Sequence, residues 1–267
     1  MSRNNRQMIN NGKVRLGIIG CGWAANDLYG PIFQFMHKGQ LIAVMDVNEE
    51  RARATQERYS VPRFYTNVDD LLDDKNIDAI MVLTPPHHHL KPAVAAAKAG
   101  KHVYCEKPMA PTIEEADGIV SACKDNKVKL MIAFMKRFNP SFRQVKDLIE
   151  EKRLGQVFEL RARWDNARVG GPSGEAYRLT VESGGGFLQE DGSHPIDICR
   201  WWLGDVCEVS AHVMIVAPEH HPTEDAACVV MRHKSGALST LHITMLTHAT
   251  GEENYEVFGT HGTLVMR

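Results

Sequence analysis

The sequence predicts an α/β protein, with a doubly wound parallel sheet in its N-terminal half and an α+β half on a mostly antiparallel sheet after it. Three observations carry that expectation. Short β-branched runs in the first half alternate with helical stretches of about 10 to 15 residues, the crossover that parallel strands need to cover their sheet. A glycine-rich turn, Gly20-Cys21-Gly22, separates the first strand from the first helix. From about Phe138 the texture changes, and strand-like runs follow one another with only turn residues between them.

The elements follow in order. After a polar tail over residues 1–12, the run from Val14 to Ile19 is a strand ending in glycines, and the stretch from Trp23 to Lys38 is helical despite Pro31. A second strand runs from Leu41 to Met45, closed by Asp46, and the charge and alanine content from Asn48 to Tyr59 predicts a helix. Ile77 to Leu83 is a buried-type strand stopped by Thr84-Pro85-Pro86; an alanine-rich helix from His89 to Ala99 ends at Gly100, and His102 to Cys105 is another strand. Residues 13–137 form the first domain on this reading and 138–267 the second. In the second, Phe142 to Glu151 is a helix, Val157 to Trp164 an alternating strand, and Gly170 to Gly186 a glycine-rich loop. Pro195 to Leu203 is a short helix that Gly204 is placed to end. Val206 to Val216, Ala226 to Arg232, Ala237 to Met245 and Tyr255 to Phe258 are strands. The last residues, from Gly259 to Arg267, read as a turn entering a strand with nothing after it, which suggests a C-terminally incomplete chain.

Size and charge bound the function. The 267 residues exceed the usual size of one domain. Lys and Arg total 31 against 33 Asp and Glu, a balance of -2 that gives no electrostatic reason to expect nucleic acid or an anionic membrane. No apolar run approaches the roughly 20 residues that span a bilayer, and the opening segment is polar, so a cytoplasmic protein with a small-molecule partner is expected. Six cysteines without a CxxC pair predict reduced thiols, with neither disulfides nor structural zinc.

The motif at the first turn is GxGxxA. Gly20 permits the tight turn, Gly22 lets the backbone approach a phosphate, and Ala25 keeps helix and strand close. Backbone N–H groups through Trp23, Ala24 and Ala25 then face a dinucleotide pyrophosphate at the helix N-terminus. Asp46, at the end of the second strand, can accept hydrogen bonds from both ribose hydroxyls and would repel a 2′-phosphate, which favours NAD; Arg51 leaves NADP open. Lys107 follows a strand of the same sheet, where open α/β folds bind ligands, and Pro108 restricts it to extended conformations. Far along the chain, Gly184-Gly185-Gly186-Phe187-Leu188-Gln189-Glu190-Asp191-Gly192-Ser193-His194-Pro195 gathers two acids and a histidine at the start of a helix. The run His87-His88-His89 predicts no metal, since adjacent histidines do not readily converge on one ion and no Cys or carboxylate spacing completes a site.

These strings together resemble the glucose-fructose oxidoreductase, inositol dehydrogenase and MocA (Gfo/Idh/MocA) family of NAD(P)-dependent oxidoreductases. The matching segments are GIIGCGWAA, MDVNEERA, TPPHHHL, AGKHVYCEKPMA, KRFNPSF and GGGFLQEDGSHPIDICRWWLG, with GTHGTLVM resembling a later strand. The resemblance implies an N-terminal Rossmann domain and a C-terminal domain whose open sheet mediates homodimer or homotetramer formation. It implies that Thr84, Pro85, His89, Glu106 and Lys107 lie at the cofactor, that Lys107 and His194 are catalytic, and that Tyr177 and Arg178 bind substrate hydroxyls. Arg137, Asn139 and Trp164 are further candidates for the substrate pocket. In the family's DxGxH pattern an acid stands four residues before the histidine; here that residue is Glu190, one methylene longer, with Asp191 beside it as the other candidate. Asp197 also matches an acid common in these proteins.

An unperturbed histidine is mostly neutral at pH 7 whereas a lysine is charged, so His194 is the readier base. The expected chemistry is hydride exchange at nicotinamide, with Lys107 polarising the oxygen of a sugar, cyclitol or related polyhydroxylated substrate and His194 exchanging its proton. Two other activities fit the same residues: an NAD-dependent glycosidase that oxidises its substrate transiently, and a catalytically weak NAD-binding regulatory protein.

Overall fold

A computed structural model describes residues 12–166, 180, 185–219, 222–248 and 251–267. The chain separates into two compact units, Met1–Ala133 and Phe134–Arg267.

The first unit is built on six parallel strands in the order β3-β2-β1-β4-β5-β6. These are β1 (Val14–Ile19), β2 (Gly39–Met45), β3 (Arg63–Tyr65), β4 (Ala79–Val82), β5 (His102–Cys105) and β6 (Leu130–Ile132). Alternate residues of each central strand enter different cores. Ile19, Ala43, Met45, Ile80 and Val82 pack with Ala93, Ala96, Ile119 and Cys123 on one face, while Ile18, Val44 and Met81 pack with Ala25 and Val61 on the other. Burial on both faces is why these strands read as continuous apolar runs rather than alternating ones. The strand order reverses between β1 and β4, the place where doubly wound sheets open a crevice beyond their strand ends.

The helix expected from Trp23 to Lys38 is much shorter and is not uniformly α. A π-helical turn, Ala24–Tyr29, runs into α1 (Gly30–Phe33) and the helix ends there. The Gly30 N–H bonds to the carbonyl of Ala25, five residues back. That leaves the Asn26 carbonyl free to accept the hydroxyl of Tyr59. Gly30 makes room for the ring: a Cβ there would lie 2.1 Å from Tyr59 and would displace it. The next helices are α2 (Glu49–Arg58), capped by Asn48, and α3 (Val68–Asp73), capped by Asn67. They are followed by α4 (Leu90–Lys98) and α5 (Ile113–Asp125). The stretches 60–76 and 106–129, where no element was expected, contain β3, α3 and α5, and β6 follows at once.

The second unit packs helices on one face of a sheet ordered β12-β11-β7-β10-β9-β8. Its strands are β7 (Val157–Asp165), β8 (Val206–Met214), β9 (Ala226–His233), β10 (Leu238–Thr244), β11 (Glu253–Gly259) and β12 (Gly262–Met266). Every pairing is antiparallel except β10 with β7. The helices are α6 (Pro140–Glu150), α7 (Phe187–Glu190) and α8 (Ser193–Leu203). Asn139 caps α6 by accepting the Ser141 N–H, and Gly204 ends α8 at φ +87°, in the left-handed region that glycine tolerates. The core joins Phe142 and Val145 of α6 and Ile198, Cys199 and Trp202 of α8 to Leu160, Val229, Leu241, Tyr255 and Val257 of the sheet.

Candidate active site

In the first unit, four expected residues stand just past the carboxyl ends of adjacent strands: Gly20 after β1, Asp46 after β2, Thr84 after β4 and Lys107 after β5. The glycine turn has the geometry of a phosphate cradle. Gly20 has φ +99°, and a Cβ there would approach the Thr84 nitrogen to 2.9 Å. A Cβ on Gly22 would meet nothing within 4 Å, so the open space at this bend is available to a ligand group against the backbone. Ala25 is fully buried, holding the π turn against the sheet, whereas Trp23 is half exposed.

Asp46 is buried, and its carboxylate is already oriented. Oδ2 accepts the Cys21 N–H at 2.8 Å and Oδ1 accepts the Asn48 N–H at 2.9 Å. A carboxylate has about four lone-pair sites, so each oxygen retains capacity for a ribose hydroxyl. The residues present thus fit a dinucleotide: backbone exposed at Gly22, a fixed carboxylate beyond β2, and a lysine beyond β5.

His89, expected at the cofactor, is tied to the main chain of the neighbouring loops. Its ring has no exposed surface, and both nitrogens face main-chain carbonyls: Nε2 lies 2.7 Å from Thr84 O, and Nδ1 lies 3.1 Å from both Pro108 O and Met109 O. It ties the loop after β4 to the loop after β5, so any influence on a ligand passes through backbone. Burial pushes its pKa down, against the three carbonyls, which favour the charged ring. Glu106 is held too: Oε1 accepts the Tyr29 hydroxyl at 2.5 Å, and Oε2 accepts the Lys107 N–H at 2.7 Å. Among the described residues, no group of three His, Cys, Asp or Glu side chains is arranged to hold a metal.

In the second unit the acids and the histidine are placed by two glycines and one distant carboxylate. Glu224 Oε1 accepts the N–H groups of Gly186 and Gln189, capping α7. A Cβ on Gly186 would lie 2.2 Å from the Glu224 carbonyl, and one on Gly192 would lie 2.2 Å from the Leu188 carbonyl. The entry to α7 therefore needs glycine at 186, and the tight link from α7 to α8 needs it at 192. It sets Glu190 at the end of α7, Asp191 next, and His194 in the first turn of α8, all three buried.

The His194 ring stacks on Trp164, with centroids 5.8 Å apart and planes 7° from parallel, and meets Phe134 edge-on at 6.3 Å. Lys136 lies 4.3 Å over the Trp164 ring and donates to Glu253 at 2.6 Å. Trp164, expected as a pocket wall, is the platform for His194. Arg137, also expected in the pocket, makes a two-point ion pair with Asp197 at 2.8 and 2.6 Å. Asn139 is the cap of α6. Tyr177 and Arg178 lie outside the described residues. Tyr29, Lys136, Phe134 and Glu224 were not picked out from the sequence; only the juxtaposition of Lys136 with Arg137 in the KRFNPSF string hinted at one of them.

Residues 14–134 match the model of an oxidoreductase family with an NAD-binding Rossmann fold, and residues 142–265 match the Gfo/Idh/MocA C-terminal domain. A myo-inositol 2-dehydrogenase of Thermotoga maritima is 29% identical over 94% of this chain and 74% of its own length. A 1,5-anhydro-D-fructose reductase of Ensifer adhaerens is 31% identical over 86% of this chain and 68% of its own. The crystal structure of the WlbA dehydrogenase from Bordetella pertussis, in complex with NADH and UDP-GlcNAcA, is 29% identical and superposes with a TM-score of 0.89, covering 96% of this chain and 74% of that one. By sequence along nearly its whole length and by fold, the chain belongs to the Gfo/Idh/MocA family of oxidoreductases, whose N-terminal half is an NAD-binding Rossmann fold.

Proposed function

We propose that this chain is an NAD-dependent dehydrogenase or reductase acting on a CH–OH group of a sugar, cyclitol or related polyhydroxylated compound. The observation that carries the reading is the buried set Glu190, Asp191 and His194, with the His194 ring stacked on Trp164, in a chain whose other unit carries Lys107 past a strand end of an NAD-binding sheet. The relatives named for myo-inositol and 1,5-anhydro-D-fructose support the substrate class.

NAD, when bound, supplies the hydride acceptor or donor. Residues 13–137 bind it, with Gly20, Gly22, Trp23, Ala24 and Ala25 at the pyrophosphate, Asp46 at the adenosine ribose, and Thr84, Pro85, Glu106 and Lys107 toward the nicotinamide. Residues 138–267 bind the substrate. The Lys107 ammonium polarises the reacting oxygen, His194 takes or returns its proton, and Glu190 orients the imidazole from the end of α7. Asp191 lines the same position. Arg137 and Trp164 act through their neighbours: Arg137 neutralises Asp197, and Trp164 fixes the plane of His194.

The test is a panel of cyclitols, sugars and sugar derivatives with NAD, followed by NADH absorbance, then His194→Ala on the substrate found. A fall in kcat of about 10² or more is expected. Turnover within about threefold of wild type overturns the assignment of His194, and the absence of NADH formation across the panel overturns the dehydrogenase reading.

A homo-oligomer is part of this proposal. The face of the second sheet away from α8 leaves Cys228, Val230, Arg232, Leu238 and His242 exposed, beside the pairs Arg232–Glu208 and Arg163–Glu252. A second copy of the chain is the proposed cover. Light scattering is expected to give the mass of two or four chains, and a monomer at micromolar concentration rules it out.

A further inference from the structure

The π turn after the glycine motif has a use that the dinucleotide site does not require. One extra residue in a helical turn changes the direction of every side chain after it, and such turns are frequent at functional sites. Here the last residue of the turn, Tyr29, donates its hydroxyl to Glu106, the residue before Lys107. Tyr29 has a single hydroxyl hydrogen, and the 2.5 Å contact with a carboxylate oxygen takes it. The 2.8 Å contact with Tyr104 is then donated by Tyr104. The other carboxylate oxygen of Glu106 accepts the backbone N–H of Lys107 at 2.7 Å. The bonds run in one direction, from Tyr104 through Tyr29 to Glu106, and Lys107 closes the set from the other side. Chains of this kind strengthen one another and fix geometry.

The rings reinforce the arrangement. Tyr29 and Tyr104 meet edge to face, with centroids 5.9 Å apart and planes at 87°. Burial and the neighbouring carboxylate both push the Tyr29 pKa up, so it keeps the hydrogen it donates. Two residues support the turn: Gly30, which admits the Tyr59 ring, and Tyr59, which satisfies the carbonyl the turn leaves over.

We propose that Tyr29 is a positioning residue for Lys107, acting through the carboxylate of Glu106. It connects the helix that starts at the glycine motif to the backbone of the lysine loop, so the two ends of the dinucleotide site are set by one hydrogen-bonded chain. The inference rests on the reading of Lys107 as the group that meets the substrate oxygen, and the experiment separates the two.

Tyr29→Phe keeps the ring and deletes only the hydroxyl. Two readouts are compared with wild type: amide hydrogen exchange of the backbone, resolved at Lys107 and over Ile113–Asp125, and steady-state kinetics. Exchange at Lys107 is expected to rise about tenfold or more while α5 is unchanged, because the carboxylate that holds that N–H has lost its anchor. With the substrate found by the panel, kcat is expected to fall about tenfold, with KM for substrate and the Kd for NAD within about twofold. Tyr104→Phe, which removes the outer member of the chain, gives a smaller change in the same direction and serves if Tyr29→Phe does not fold. Unchanged exchange at Lys107, or a rise spread equally over α5, overturns the positioning role whatever the kinetics. Faster exchange at Lys107 with an unchanged kcat overturns the positioning role and leaves the assignment of Lys107 standing on its own test. In that test Lys107→Ala lowers kcat by about 10² or more, and turnover within about threefold of wild type overturns the assignment.

Discussion

At the scale of single residues, the buried histidines are told apart by what their nitrogens face. His89 is enclosed by carbonyls and does structural work, whereas His194 is held by aromatic rings at the start of a helix beside two acids. Because burial depresses the His89 pKa, the unfolded chain takes up a proton before the folded one as pH falls below about 6.5. The His89 contribution to stability is therefore complete above that pH and is lost as pH falls toward its lower folded value. Thermal melts between about pH 7.5 and about pH 5 check this: His89→Gln is expected to be less stable by about 1 to 2 kcal/mol at the upper pH and to decline less steeply on acidification. The cysteines give a second residue-scale test. Cys21, Cys105, Cys123 and Cys199 are buried, with burial pushing the Cys21 thiol up to about 12, while Cys207 and Cys228 are exposed. A thiol reagent is expected to label Cys207 in the folded protein, Cys228 only once the proposed homo-oligomer is dissociated, and the other four only after denaturation.

At the scale of elements, the decisive pieces are short. The segment from α7 into α8 carries Glu190, Asp191 and His194, and its shape depends on Gly186 at the start of α7 and Gly192 at the start of α8. Gly192→Ala is expected to cost about 2 kcal/mol or more by denaturant melt and to lower kcat together with stability, because the clash is with backbone that cannot yield cheaply. Gly100→Ala, at φ +73° but in open space, is expected to cost about 1 kcal/mol and leave kcat alone. Elements with a clear apolar run and a stop residue were legible: α8 ends at Gly204, and β5 has the expected bounds. The helix α5 carries a local signal in Thr112, three residues before Glu115, and Thr112 Oγ1 accepts the Glu115 N–H. The three-residue strands β3 and β6 offer too few residues for a period to register. The π turn was illegible for a different reason: it depends on Tyr59, which packs on Gly30 from the next helix-strand connection and is not a neighbour in sequence.

At the scale of the whole molecule, cofactor binding and folding of the first unit are one equilibrium. A ligand that binds only the folded state at about 100 times its Kd adds about 2.7 kcal/mol. NAD is expected to raise the melting temperature of wild type and not that of Gly20→Ala, since a Cβ at 2.9 Å from the Thr84 nitrogen displaces the cradle. Scanning fluorimetry with and without NAD distinguishes them. By itself the sequence determined the class of fold, the strand ends past which the candidate site residues stand, and the residue types that suit redox chemistry. Those depend on local periodicity, on glycine conformations and on the chemistry of individual side chains, all of which are written residue by residue. Only the tertiary structure decided which polar groups are already satisfied: His89 by three carbonyls, Arg137 by Asp197, and Glu106 by Tyr29. A hydrogen bond needs two groups within about 3 Å, and here the partners are brought that close by strands and helices many residues apart. That spacing is a product of sheet order and packing, so it separates the residues that hold the site in shape from those left to meet a ligand.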